Sequence, residues 1–216
     1  MSIDLNSIHR IRQEYKKATL NEENVNVNAL TQFEIWFGDA LEAEVIEPNA
    51  MTLSTVNREG VPSSRIVLLK KVDDSGFTFF TNYSSKKAAD IERNNKVSLL
   101  FFWPQLERQV RVTGLAEKVS VFDSEEYFHS RPFASQIGAI ASPQSREIKN
   151  REILDDTLKE LLAIYKDKEV PMPGHWGGYL VKPDSIEFWQ GRSNRLHDRL
   201  LYTRLDNGWK ISRLAP

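Results

Sequence analysis

MTLSTVNREGVPSSRIVLLKKVDDSGFTFFT, Met51–Thr81, is the stretch whose reading decides the fold. Met51–Val56 has the short apolar, β-branched character of a strand. Asn57-Arg58-Glu59-Gly60 interrupts it with turn residues. Ser63–Val72 is rich in Ile, Val and Leu, Asp73-Asp74-Ser75-Gly76 turns the chain again, and Phe77–Thr81 is a further strand. Three strands joined by short glycine-containing turns predict an antiparallel meander.

Toward the C-terminus, Ser84 or Ser85 is placed to cap a short helix carrying Ala88, Ala89 and Ile91. Val97–Phe102 reads as an apolar strand. Glu107–Val119 reads as a long alternating one, with Val110 and Val112 facing one way and Gln109 and Arg111 the other. Asp123 and Ser124 are the expected caps of a helix containing Tyr127 and Phe128, which Pro132 terminates. The spacing of Leu154, Leu158, Leu161, Leu162 and Tyr165 predicts a helix over Ser145–Lys166. After a rigid Val170-Pro171-Met172-Pro173-Gly174 linker come strands over Gly178–Val181, Ser185–Trp189, Leu200–Arg204 and Trp209–Leu214.

Toward the N-terminus, Thr31 is the expected cap of an amphipathic helix to Val45, with Phe33, Trp36, Phe37, Ala40 and Leu41 on one side. Asn21–Asn28 is a polar connector. The segment before it reads as charged and helical, with Ile8, Ile11 and Tyr15 in one stripe. The sum is roughly eight strands, mostly hairpin-connected, and closure is what removes their edges. The expectation is one mainly β domain over residues 1–216, an antiparallel, closed or nearly closed barrel with peripheral helices and a mobile N-terminal segment of about 28 residues. The absence of alternating βαβ units argues against a dinucleotide-binding sheet.

The 216 residues are 40% hydrophobic and 27% charged, with a net charge of −1 and no cysteine. A balanced charge supplies no global field for nucleic acid or anionic lipid. Disulfides, thiolate metal sites and cysteine nucleophiles are excluded. His9, His129, His175 and His197 lack metal-ligand spacing, so no metal is expected. No stretch approaches the ~18 apolar residues of a membrane span, and the N-terminus lacks a secretory apolar core. The expected setting is the cytoplasm. Glycine-rich nucleotide loops, zinc-protease motifs and a serine-hydrolase elbow are all missing.

Four runs carry chemistry. Ser64–Lys71 is an apolar strand flanked by cations: either a core strand whose cations reach solvent, or an anion site at a barrel rim. Alternation puts Arg65 and Lys70 on opposite faces unless a bulge intervenes. Thr81–Lys87 combines hydroxyls, a helix N-terminus and two lysines, either an ordinary capped helix or a phosphate site. Tyr127 and Arg131 share a helical face, and Ser135 joins them only if the chain turns after Pro132. Arg195-Leu196-His197-Asp198-Arg199 follows Trp189-Gln190-Gly191. An extended chain would put Arg195, His197 and Arg199 on one face, either a charged hairpin or an anion-binding site.

With Arg65–Lys70, Glu107-Arg108-Gln109-Val110, Tyr127–Pro132, Ser135–Ala139, Phe188–Gly191, Arg195–Arg199 and Arg213–Pro216 in this order, the chain resembles the pyridoxine/pyridoxamine 5′-phosphate oxidase family over nearly its whole length. The resemblance implies an FMN-binding split β-barrel working as a homodimer with FMN at the subunit interface. It implies oxidation of pyridoxamine and pyridoxine 5′-phosphates by dioxygen to pyridoxal 5′-phosphate, with hydrogen peroxide as co-product. By matched position, Arg65, Ile66, Val67, Leu68, Leu69, Lys70, Phe80, Thr81, Lys86, Lys87, Gln109, Gln144, Ser145, Trp189 and Arg199 are the implied FMN contacts. Lys70, Tyr127, Arg131 and Ser135 are implied to hold the substrate phosphate. Arg195, Leu196 and His197 are implied to lie over the pyridoxine ring, with Arg195 and His197 as catalytic residues. Arg12, Gln13, Glu14 and Tyr15 match a mobile segment that closes over the substrate. Family members often carry Ser-Arg-Lys where this chain has Ser85-Lys86-Lys87, and lysine lacks the bidentate fork of arginine.

Overall fold

A computed structural model describes residues 13–216. Among the described residues nine strands and five α-helices form two compact units, the first made of the described residues up to Pro48 with Phe101–Arg111 and Ser185–Pro216, the second of Asn49–Leu100 and Val112–Asp184. Hydrogen-bonded strand neighbours run β2-β1-β5-β6-β7-β4-β3, with β8 on β7 and β9 on β8. Those strands are β1 Ala50–Val56, β2 Pro62–Leu68, β3 Lys71–Asp73, β4 Gly76–Asn82, β5 Lys96–Trp103, β6 Arg108–Lys118, β7 Trp176–Gln190, β8 Asp198–Leu205 and β9 Gly208–Arg213.

In the second unit the hairpin expected at Asn57–Gly60 is present, with Ala50 opposite Leu68 and Val56 opposite Pro62. Alternation buries Met51, Leu53 and Thr55 on one face of β1. The third leg departs from a simple meander. Ser63–Val72 is not one strand, because its backbone changes partners at Leu69 and Lys70. Leu69 N donates to Asn49 O, whereas Lys70 N donates to Thr78 O on β4. The break lets buried Leu69 enter the core and frees Lys70 from the β2 alternation. Gly76 opens β4 at φ +137°, and a Cβ there would lie 2.1 Å from Val181 O, so the turn requires glycine.

Helix α2, Lys86–Arg93, has the expected Ser85 cap. Helix α3, Val121–Ser130, is capped by Ser120, which accepts from Asp123 N at 3.0 Å, rather than by Asp123 or Ser124. Pro132 ends α3 as expected, but it also opens an unanticipated helix, α4, Phe133–Ala141. The residue before a proline is pushed to extended backbone, and proline's fixed φ suits a helix entry. Helix α5 covers only Glu152–Ile164, and Ser145 sits at φ +70°, outside any helix. Phe128, Ile137, Val170 and Trp176 form a buried cluster against which Leu158, Leu161 and Tyr165 of this region pack. Strand β7 runs unbroken through Lys182-Pro183-Asp184, where two strands were expected. There Gly114 comes so close that a Cβ would lie 2.1 Å from Lys182 O.

In the first unit, α1 is Ala29–Glu42 and its cap is Asn28, whose side chain accepts from Leu30 N and Thr31 N; Thr31 is already inside the helix. Phe33, Trp36 and Ala40 are buried as expected, while Leu41 is exposed. Rings lock this unit: Phe33 on Phe101 at 4.9 Å, Trp36 on Phe188 at 5.1 Å, Phe188 on Tyr202 at 5.2 Å. Strand β8 pairs with the second half of β7, Trp189 opposite Arg199, and β9 pairs with β8. Gln13–Leu20 is not helical, contrary to expectation, and Ile8 and Ile11 lie outside the described residues. Leu20 N donates to Asp198 Oδ2, and Arg213 donates to Leu20 O and to the Glu22 carboxylate.

Candidate active site

The second unit contains a cavity of about 640 Å³. Lys70 reaches it from the break after β2, Thr81 from the end of β4, Lys87 from the first turn of α2 and Tyr127 from α3. Arg131 and Ser135 enter from either side of Pro132, so the chain makes the turn that joining them requires. Ile66, Val67, Leu68 and Gln144 complete much of the wall. Phe80 stacks on Tyr127 at 4.0 Å and on Trp176 at 5.4 Å, giving a flat aromatic side. Trp176 was not anticipated; its only sequence signal is an aromatic residue beside Gly177-Gly178.

Charge in this cavity is one-sided. Lys70, Lys87 and Arg131 line it, and among the described residues no carboxylate does. Arg131 donates from Nη2 to Ser135 O at 2.7 Å and lies 4.8 Å from the Trp176 ring. Its Nη1 is buried without a partner among the described residues, and burial lowers its pKa. A buried unsatisfied donor costs roughly 1–3 kcal/mol, more when charged. Lys87 donates to Gln144 Oε1 at 2.7 Å, Thr81 Oγ1 at 3.1 Å and Ser85 Oγ at 3.2 Å, all neutral acceptors. Burial first, then the Arg65 charge, pushes its pKa down to about 8. Both cations lack what a bound anion would supply.

The remaining implied contacts of this unit divide. Arg65 does not line the cavity; it donates to Leu53 O, Thr55 Oγ1 and Ser63 Oγ, and Thr55 in turn donates to Asp90 at 2.7 Å. Leu69 is buried, Lys86 is exposed and off the wall, and Ser145 is exposed beside Gln144.

The first unit has its own cavity, about 820 Å³, lined by Gln13, Glu14, Tyr15, Arg192, Asn194, Arg195 and His197. Trp189 packs 4.6 Å from the His197 ring, and Tyr15 meets Trp189 edge-on at 5.8 Å. His197 Nδ1 accepts from Arg192 N at 3.1 Å, so a neutral ring carries its proton on Nε2. Burial and the Arg195 charge lower the His197 pKa, partly offset by Asp198. The extended chain assumed for Arg195–Arg199 does not hold. Ser193–Arg195 is a 3-10 turn with Asn194 at φ +57° and Arg195 at φ +61°. Arg195 and His197 still share the cavity, but Arg199 does not. Its Nε and Nη2 fork onto Glu187 at 2.8 and 3.2 Å, and its Nη1 donates to Ala215 O. Buried Glu187 also holds Arg111, a partnership that sequence reading missed. Asp198 balances charge, bridging Arg192 and Arg213 at 3.0 Å each. Leu196 is exposed, Gln109 is half-buried outside both cavities, and Arg12 lies outside the described residues.

Among the described residues no three His, Cys, Asp or Glu side chains group to hold a metal, and no helix is long and apolar enough to cross a membrane. Two family profiles match the chain: pyridoxamine 5′-phosphate oxidase over residues 37–165, and the pyridoxine 5′-phosphate oxidase C-terminal dimerisation region over residues 176–216. The chain belongs to the pyridoxine/pyridoxamine 5′-phosphate oxidase family. The family's fold class, mainly antiparallel β with helices in an FMN-binding split barrel, agrees with the sequence expectation. Curated oxidases of this name from Cyanothece sp. and Salinibacter ruber are 53% identical over 97% of this chain and 99% of theirs, and 51% over 95% and 97%. The solved structure of PhzG from Burkholderia lata, in complex with tetrahydrophenazine-1-carboxylic acid, superposes with a TM-score of 0.88 at 30% identity, covering 94% of this chain and all of that one. An FMN-binding, oxidase-related protein from Nostoc punctiforme shares the fold at 16% identity, with a TM-score of 0.69 over 85% of this chain and 97% of that one.

Proposed function

We propose that this oxidase-family protein is an FMN-dependent pyridoxine/pyridoxamine 5′-phosphate oxidase, a cytoplasmic homodimer in which residues 1–216 work as one domain and FMN lies at the subunit interface. The observation that carries the reading is the cavity with Lys70, Lys87 and half-buried Arg131 on its wall and, among the described residues, no acid to balance them. FMN and the substrate each bring a phosphate, which such a wall suits. Lys87, Thr81 and Gln144 are assigned to FMN; Lys70, Tyr127, Arg131 and Ser135 to the substrate phosphate. Ile66–Leu68 and Phe80 supply apolar surface for a flavin. Arg65, already satisfied by neutral acceptors, adds its charge to that of Lys87.

Bound FMN would supply the acceptor for two electrons from the substrate C4′ carbon, with dioxygen as the final oxidant, yielding pyridoxal 5′-phosphate and hydrogen peroxide, and with water releasing ammonia when the substrate is the amine. The protein's work is placement. Phosphate binding remote from C4′ orients that carbon without entering the chemistry. Arg195 and His197 are assigned to the pyridine ring, His197 as a neutral imidazole with its Nε2 proton available to a ring substituent. The family's dimerisation region over residues 176–216 supports the homodimer.

Mixing the purified flavoprotein anaerobically with pyridoxamine 5′-phosphate should bleach the flavin absorbance, and readmitted oxygen should restore it with release of peroxide. A protein that takes up no FMN, or whose flavin stays oxidised, refutes the assignment. Arg195→Leu should lower kcat/KM by roughly 10²-fold, the scale of a misplaced substrate, while flavin content per subunit stays at the parental value. Full activity in that variant would remove Arg195 from the ring site.

A further inference from the structure

Glu107 is a buried acid in an unusual position. Its side chain is 4% exposed and its backbone is left-handed, at φ +55° and ψ +38°. A non-glycine residue held there, just before β6, signals surrounding contacts that fix it. Its Oε2 accepts from two consecutive main-chain amides, Lys16 N at 2.9 Å and Lys17 N at 3.0 Å. Its carbonyl accepts from Gly191 N at 2.8 Å and from Gln190 Nε2 at 3.2 Å. One residue therefore ties the segment Gln13–Lys17 to the end of β7.

That segment forms one wall of the Arg195/His197 cavity through Gln13, Glu14 and Tyr15. Tyr15 sits directly on Gly191, where a Cβ would lie 2.7 Å from Tyr15 Cγ. The Tyr15 ring meets Trp189 and His197 edge-on, and Ser193 Oγ donates to Tyr15 O at 3.2 Å. A buried carboxylate without hydrogen bonds is strongly disfavoured. Releasing the segment would strip Oε2 of both donors. We propose that Glu107 is a positioning residue: its carboxylate latches Lys16 and Lys17, and so holds Tyr15 as a wall of the substrate-ring cavity. This rests on the reading that the cavity receives the pyridine ring.

Lys16 and Lys17 are themselves trypsin sites, which makes the latch directly readable. In the FMN-loaded protein, Glu107→Ala should raise the initial rate of cleavage after these lysines, relative to cleavage after Lys149, by on the order of tenfold or more, as expected for loss of charge-assisted hydrogen bonds. The KM for pyridoxine 5′-phosphate should rise several-fold more than kcat falls. Glu107→Gln keeps an acceptor oxygen and should restore most of both. If Glu107→Ala does not fold, Lys16→Pro removes one donor with Glu107 intact, and accelerated cleavage after Lys17 is then the expected result. Unchanged cleavage in whichever of these variants folds overturns the latch, and so does a KM that stays at the parental value. A parental protein with no turnover would defeat the oxidase reading instead, and the cleavage rates would still decide the latch.

Discussion

Replacing Arg131 with methionine should lower kcat/KM for pyridoxamine 5′-phosphate by about 10²–10⁴-fold, corresponding to the loss of about two charge-assisted hydrogen bonds at 1.5–3 kcal/mol each. Methionine preserves much of the bulk packed between Phe128 and Trp176 and removes the charge. The folded protein should hardly notice. The native guanidinium carries a desolvation cost and an Nη1 without a partner among the described residues, which offset the bond to Ser135 O and the stacking on Trp176. A large catalytic loss with a small change in Tm is thus the signature of a residue kept for an anion rather than for stability. Steady-state kinetics with pyridoxine 5′-phosphate and with unphosphorylated pyridoxine check the assignment. The loss should shrink sharply for the second substrate, and an equal loss on both would place Arg131 outside the phosphate site.

Lys87→Met should weaken FMN binding by roughly 10²-fold, the worth of one charge-assisted contact to a phosphate in a partly buried site. Its pH dependence is the sharper test. The folded pKa is about 8, against an ordinary value of 10.5, because burial and the Arg65 charge oppose the ammonium. Between those two values the unfolded chain binds more protons than the folded one. The stability of the FMN-free protein should therefore rise as pH increases from about 8 to 10.5 and be lost again as pH falls through 8. FMN binding should run the other way, because its phosphate needs the charged lysine: affinity should fall as pH rises past about 8, with proton uptake on binding. Fluorescence-quenching titrations and urea melts between pH 7 and 10 measure both. Lys87→Met should flatten the two profiles, and parallel slopes in parent and variant would remove Lys87 from the cup.

What was legible in the sequence was whatever local chemistry decides. The Asn57–Gly60 hairpin and the Ser85 cap follow from turn and cap residues acting over a few positions. Lys70, Lys87, Tyr127, Arg131 and Ser135 were identifiable because each falls in a recognisable run, and the fold does bring them to one cavity. Other features depend on distant partners. Pro132 looks like a stop, but that it also starts α4 depends on Ile137 finding the Phe128–Trp176 cluster. Lys182-Pro183-Asp184 has the composition of a turn, and β7 passes straight through it. The left-handed Asn194 and Arg195 broke the alternation argument: asparagine is enriched at positive φ, but nothing in Arg195 announces it. Glu107 and Glu187 look like surface acids in sequence; only their partners, 90 and 76 positions away for Lys17 and Arg111, show why they are buried.

The Arg213 contacts bear on the order in which this protein is completed. Arg213 grips Glu22 across a separation of 191 positions, and the same guanidinium holds Leu20 O. Contacts that close so long a loop lose chain entropy before they return any stabilisation. A nascent chain has nothing to fasten at Leu20 and Glu22 through Arg213 until synthesis has passed that arginine. Leu20 and Glu22 are therefore fastened late, as a closing step of assembly. A mutation at Arg213 should show itself first as slow docking of Leu20 and Glu22.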